Sequence, residues 1–462
     1  MQQPPISRRR IALSAGAAAL LAPLNSTMIA VALPSIREEF NVGVIAVTWL
    51  ITSYLVAVAI TQPVGGRLAD AIGTLPVLRI GLVGMVVLSA AAAAAPTFEL
   101  LVVARGAQGI AAALLIPSAT AYLRKSVRVA ELPSVLGTNG AMISAGAAFG
   151  PVVGGIILAL GGWQWLFLLN IPMVAAIWLL LRPLQPDVGN GRHTFRPEPA
   201  SVAALAVAFT GLALFGPALR AESGVLLPVA LGAFAAGLIL YTWLYTARGR
   251  GVINISLFSS PAFSRSGAMT ALANLVMYTT LVAMPVYLRD EHGLGDGAIG
   301  ALLFAMSATN VVAAPLGARI ATTYGIRAGL ILGSTVLVAS SVAVLTASTG
   351  GGAFILVAPL AMMGIGMGLG GAAQQSSGLA AWPQSMAGSA AGTLSLMRYV
   401  GSVAGASLLA AVLGSSPGGS DFTRLLAIVA GFAVLNLMLA FIRVEAPHDA
   451  DEAVVVPTAV PR

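Results

Sequence analysis

The chain has 462 residues, of which 58% are hydrophobic and only 9% charged; soluble proteins carry about 25% charged residues, and in water this composition would leave large apolar patches bare. The net charge of +8 rests on 24 basic residues, all Arg except Lys125, and these gather between apolar runs rather than in a patch suited to nucleic acid. With no Cys and three scattered His (His193, His292 and His448), disulfides, thiolate chemistry and paired-histidine metal sites are excluded.

A helix needs roughly 20 apolar residues to cross the hydrocarbon of a bilayer, and fourteen runs qualify. Six come first, at 11–34, 44–66, 75–95, 98–122, 135–160 and 163–181. The segment Ser7-Arg8-Arg9-Arg10 ahead of them reads as a cytoplasmic anchor for the first span rather than a secretion signal. After a Pro-rich linker at 183–199, two further spans lie at 200–219 and 224–246. The last six are 266–288, 297–317, 328–347, 353–378, 386–413 and 422–442, and the polar tail from 444 is expected to be disordered. Cytoplasmic loops carry an excess of Lys and Arg. With the N-terminus inside, 18 of the 24 basic residues fall on the cytoplasmic side. Arg37, Arg220, Arg289 and Arg424 fall outside, and Arg105 and Arg398 lie within spans. The expectation is a multi-pass protein of a prokaryotic plasma membrane with both termini cytoplasmic.

The chain also repeats itself. Gln62-Pro-Val-Gly-Gly-Arg-Leu-Ala-Asp-Ala-Ile-Gly73 aligns with Ala314-Pro-Leu-Gly-Ala-Arg-Ile-Ala-Thr-Thr-Tyr-Gly325 at a shift of 252, and Gly137, Gly150 and Gly154 match Gly388, Gly401 and Gly405 at 251. This predicts an all-α membrane protein of two related six-helix bundles, 1–182 and 263–443. The segment 183–262 supplies the linker and two inserted helices, and 444–462 a cytoplasmic tail. Parallel halves of this kind place a substrate site near the midplane between them and work by rocking.

These residues resemble the major facilitator superfamily, and within it the fourteen-span drug/proton antiporters. Gly66-Arg67-Leu-Ala-Asp70-Ala-Ile-Gly73 looks like the superfamily's loop between spans two and three, and Arg105-Gly-Ala-Gln108-Gly109 like its span-four motif. Gly146-Ala-Ala-Phe-Gly150-Pro151-Val-Val-Gly154-Gly155 is similar to the fifth-span antiporter motif. Leu24-Asn25-Ser-Thr27-Met-Ile-Ala30-Val-Ala-Leu-Pro34 resembles the first-span signature, and Trp163-Gln-Trp-Leu-Phe-Leu-Leu-Asn170-Ile-Pro172 the start of the sixth. The resemblance covers about 11–443. It implies a major facilitator fold, alternating-access transport, efflux of drugs or metabolites, multidrug resistance and protons as counter-substrate. Two positions depart from the pattern: Asn25 stands where the family usually has Asp, and Thr74 and Leu75 where basic residues usually follow the second loop glycine.

All 16 acidic residues fall in loops or at span ends, so any proton-responsive group is sought among Glu38, Glu99, Glu222, Asp290 and Glu291. Ionisable groups inside a membrane cost roughly 2.5–3.5 kcal/mol and tend to be functional. Arg105 and Gln108, three apart, share a helix face, with Asn25 a candidate acceptor for Arg105. Arg398 is flanked by Ser395 and Ser402. Polar residues at Thr27, Trp49, Tyr54, Gln62, Asn274, Tyr278, Asn310 and Gln374 are further candidates for the pathway. Gly66, Arg67, Asp70 and Gly73 are the inner-gate candidates, with Arg67 or Asp70 reaching a neighbouring helix end. Gly146, Gly150, Gly154 and Gly155 form a small-residue packing stripe beside Pro151. Gly366-Met-Gly-Leu-Gly-Gly371 matches a dinucleotide fingerprint but lacks the strand–turn–helix setting, and no phosphate loop precedes Lys125. Partners are therefore a small-molecule substrate, membrane lipid and protons, with no ATP, nucleic acid, cofactor or metal. Three readings stand: a secondary exporter of hydrophobic or amphiphilic molecules, an uptake carrier or uniporter for a polar or anionic solute, and a non-transporting receptor or assembly factor on the same scaffold. No acid pair, metal set or nucleophile–base pair lies in the spans to suggest an enzyme.

Overall fold

The computed structural model describes residues 8–127, 132–184, 198–222, 224–248, 251–350, 352–383, 386–414 and 417–444. Among the described residues there is no strand, and fourteen helices are long and apolar enough to cross a membrane. With no water in hydrocarbon to satisfy N–H and C=O groups, a helix closes its backbone hydrogen bonds internally. Spans one to six are Arg10–Phe40, Val44–Ile72, Thr74–Ala93, Phe98–Ser126, Thr138–Leu160 and Gln164–Leu181. Spans seven and eight are Pro199–Arg220 and Leu226–Arg248. Spans nine to fourteen are Pro261–His292, Asp296–Thr323, Ile326–Ser348, Ala353–Leu379, Gly388–Leu413 and Gly419–Phe441. The tail beyond 444 and most of the linker lie outside the described residues.

Several boundaries differ from the sequence expectation for identifiable reasons. Span one continues past Pro34 to Phe40. A proline removes one backbone donor, whereas Ile36 is fully buried and Phe40 packs against Phe98 and Trp163 at 6.0 and 5.7 Å. That packing keeps the last turns docked. Span four is interrupted at Leu114 and span six at Leu169, each between two helical pieces.

The two repeats have the same backbone at their ends. Gly73 (φ 100°, ψ 147°) and Gly325 (φ 91°, ψ 153°) each join two spans through a conformation that a side chain disfavours. Spans five and one pack together in the first bundle, as do spans thirteen and nine in the second. The bundles meet where span five faces span ten, span two faces span thirteen and span one faces span nine. The inserted pair packs on itself, and span seven leans on spans thirteen and two, covering one seam between the bundles. The end where span one begins and span fourteen finishes is the terminal face; the opposite end is the far face.

Candidate functional site

The first bundle encloses a continuous polar network. Asn25 and Asn170 exchange amide hydrogen bonds of 2.7 and 2.8 Å, and Asn25 also donates to the Leu21 carbonyl. Asn170 donates to Ser89 at 3.0 Å, and Gln108 donates to the same hydroxyl at 2.7 Å. Arg105 donates to Gln108 Oε1 and, through Nε, to the Leu50 carbonyl at 3.2 Å. Its guanidinium carbon lies 4.3 Å from the Tyr54 ring centroid and 5.8 Å from that of Phe167, a favourable placement for a cation. Tyr54 donates to the Ala22 carbonyl at 2.8 Å. Arg105, Gln108, Asn170 and Ser89 are fully buried.

This arrangement corrects one expectation. Asn25 does not accept from Arg105; its carbonyl oxygen is taken by Asn170, and Arg105 is reached only through Asn170, Ser89 and Gln108. The i, i+3 pairing of Arg105 with Gln108 holds. Sequence reasoning did not select Asn170 or Ser89 for the network. The available signal was polarity alone, a single amide at the break in span six and a hydroxyl in the alanine-rich end of span three.

A second group straddles the two bundles. Ser26 and Tyr278 share a hydrogen bond of 3.0 Å between spans one and nine. Gln62 of span two lies near the Tyr399 side chain of span thirteen. Arg398, beside Tyr278 and Tyr399, is exposed and donates to Ser395 at 3.0 Å. Ser402 donates to the Arg398 carbonyl rather than receiving its guanidinium.

The remaining candidates scatter. Thr27 bonds the Pro23 carbonyl and meets Gly150, so it serves helix packing. Trp49 lines a cavity of about 340 Å³ with Ser53, Thr61, Ile110 and Thr210, on the side of the first bundle toward span seven. Asn274 donates to Thr270 of its own helix, and Gln374 is buried where its carbonyl accepts from Ser266. Asn310 is partly buried and packs through its carbonyl against Gly368. The fingerprint-like glycines are contact points: Gly366 and Gly370 meet span eleven, and Gly368 meets span ten.

The gate and glycine motifs are better resolved. Arg67 donates to the Gly251 carbonyl, in the segment joining spans eight and nine, while Asp70 is exposed. The expected reach to a helix end is thus replaced by a clasp on the linker. Gly146, Gly150 and Gly154 face Leu20, Thr27 and Met28 of span one, and Gly155 faces Gly297 and Gly300 of span ten. At the far face Arg37 grips Asp290 through two bonds of 2.8 and 2.5 Å, joining spans one and nine. Ser35 donates to Asp296 at 2.9 Å, Arg289 also bonds Asp296, and Glu38 lies 3.8 Å from Arg289. Ion pairs between the bundles are thus found at the far face, while the Arg398 group sits at mid-depth.

Comparison with known proteins agrees with this architecture. The family model described as Major Facilitator Superfamily matches residues 15–271 and 266–457. An uncharacterized MFS-type transporter of Bacillus subtilis (strain 168), YvkA, is 29% identical over 399 residues, covering 85% of this chain and 87% of its own. The methylenomycin A resistance protein of the same organism is 28% identical, covering 74% and 71%. The tetracenomycin C resistance and export protein of Streptomyces glaucescens is 24% identical, covering 75% and 65%.

Proposed function

The chain belongs to the Major Facilitator Superfamily, and from that premise we propose that it is a secondary active exporter of hydrophobic or amphiphilic small molecules, working by alternating access. The observation that carries the reading is the division of contacts between the bundles. Ion pairs tie spans one and nine at the far face, and a polar group with an exposed Arg398 lies at mid-depth. One mouth held shut over a polar midplane is one half of an alternating-access cycle. The glycine contacts of span five on spans one and ten supply close surfaces on which the bundles can turn. Relatives named for resistance and export support the direction of transport. The arginine excess supports a cytoplasmic terminal face and a plasma-membrane location; the far face is then external.

Proton antiport follows from the resemblance and needs a group whose protonation differs between states. Asn25 cannot supply one, and the carboxylates of the far-face cluster, Asp290, Asp296 and Glu38, are the groups placed between moving elements. Inside-out membrane vesicles containing the full chain test the proposal. Amphiphilic dye should accumulate when a proton gradient is imposed and stop when a protonophore removes it. Continued accumulation after collapse eliminates antiport. Arg105→Ala should abolish flux, because it empties the centre of the buried network; full flux in that variant refutes the assigned role. An uptake carrier or uniporter for an anionic solute is favoured by one observation, the lack of a titratable group at Asn25. Dye counterflow without any gradient would select it.

A further inference from the structure

We infer that the midplane site selects organic anions, and that Arg398 is the residue which reads the substrate's negative charge. This deepens the exporter reading and rests on it. Arg398 is the eleventh residue of span thirteen, about 15 Å along the helix from its terminal end at 1.5 Å per residue. Each acidic residue within the described spans sits in the first or last turn of its helix: Glu38, Glu39, Asp70, Glu99, Asp290, Glu291, Asp296 and Asp421. Among the described residues, no ion pair engages Arg398, and its side-chain hydrogen bond goes to the neutral Ser395.

An arginine keeps its charge and five donors at any physiological pH. Placed at membrane depth it calls for an acceptor. Arg105 meets part of that need with Gln108, the Leu50 carbonyl and the Tyr54 ring, its Nη2 being left without a hydrogen bond. Arg398 has the Ser395 hydroxyl, and its side chain is exposed. It also lies near the seam between the bundles. A side chain at Gly388, at the terminal end of span thirteen, would come within 3.2 Å of Arg124, which places that cation of the first bundle beside span thirteen. Arg398 lies further along span thirteen, near Tyr278, whose hydroxyl reaches Ser26 across the seam. From the terminal face inward, span thirteen thus has first the cation of Arg124 beside it and then its own cation at Arg398. Fixed positive charge on low-dielectric walls concentrates anions and repels cations. The guanidinium fork suits a carboxylate.

The test reconstitutes the full-length protein in liposomes with fluorescein or rhodamine 123, dyes of similar xanthene frame and opposite charge. Fluorescence anisotropy of the same dyes with detergent-solubilised protein reads binding apart from turnover. Wild type should bind and carry fluorescein in preference to rhodamine 123. Arg398→Ala should weaken fluorescein binding about tenfold, the scale of one charge-assisted hydrogen bond. Arg398→Lys should restore most of it, and Arg398→Glu should turn the preference toward rhodamine 123. Equal or greater affinity of wild type for rhodamine 123, or an unchanged fluorescein preference in the Ala and Glu variants, overturns the anion assignment while leaving transport itself standing. Selective fluorescein binding with flux of neither dye overturns the exporter reading and leaves the anion site in place.

Discussion

Asn25 shows how one side chain's chemistry depends on its partner. In the reciprocal amide pair each asparagine donates once and accepts once. An aspartate there would keep the acceptor for Asn170 but set its second oxygen against the Asn170 carbonyl unless it carried a proton. Burying the ionised form without a cation is costly, and Arg105 is linked to residue 25 only through Gln108, Ser89 and Asn170. Asn25→Asp should therefore be tolerated when protonated and lose stability as pH rises from about 5 to about 8, where a solvated carboxyl is ionised. The melting temperature of the detergent-solubilised variant should fall over that range while wild type stays flat, and its proton dependence of transport should change. An identical profile for both proteins would show that residue 25 does not face Asn170. The Arg105–Gln108 pair was legible because both lie on one helix at a fixed spacing. Asn170 and Ser89 were not, since a lone polar residue in an apolar run does not reveal which other helix it faces.

At the scale of the helix, the fourteen apolar runs were legible because hydrocarbon thickness sets a minimum length. Interruptions at Leu114 and Leu169 were less so: each stands three residues before a proline, Pro117 and Pro172, which removes a backbone donor and disturbs the preceding turn, whereas Pro63 sits inside an unbroken helix. The glycine stripe of span five was recognisable as a close-packing surface; its partner, span one, was not. A side chain at Gly150 would collide with Thr27 Oγ1 and come within 2.9 Å of the Met28 nitrogen. Overpacking of a well-filled contact costs about 1–3 kcal/mol. Gly150→Val should lower the unfolding midpoint in mixed detergent micelles by an amount in that range, whereas Gly371→Val, where no atom lies within 4 Å, should leave it unchanged. Equal effects of the two would mean that spans one and five do not meet at this depth.

For the molecule as a whole, the repeat announced two bundles, and the matching backbone of Gly73 and Gly325 carries that relation into the fold. What joins the bundles was out of reach of the sequence, because Arg37 and Asp290 are 253 residues apart and each reads as an ordinary span-end charge. Their two-pronged pair, about one-fifth exposed on each side, spans the seam that must part if the far face opens. Exposed pairs are worth up to about 1 kcal/mol, and 1 kcal/mol shifts a two-state equilibrium about fivefold. Asp290→Asn keeps the shape and removes the charge, so it should enlarge the far-face-open population by up to about that factor. The native chain has no Cys, and Ser26, buried at mid-depth where the bundles touch, is a suitable single site for a label. In a Ser26→Cys background, an impermeant maleimide applied from the far side should react faster once Asp290→Asn is added. The exchanged pair Arg37→Asp with Asp290→Arg should return the rate toward that of the parent. If the rate stays constant across the series, the Arg37–Asp290 pair does not hold the bundles together, and the remaining contacts, among them Gly155 on span ten and Ser26 with Tyr278, do so instead.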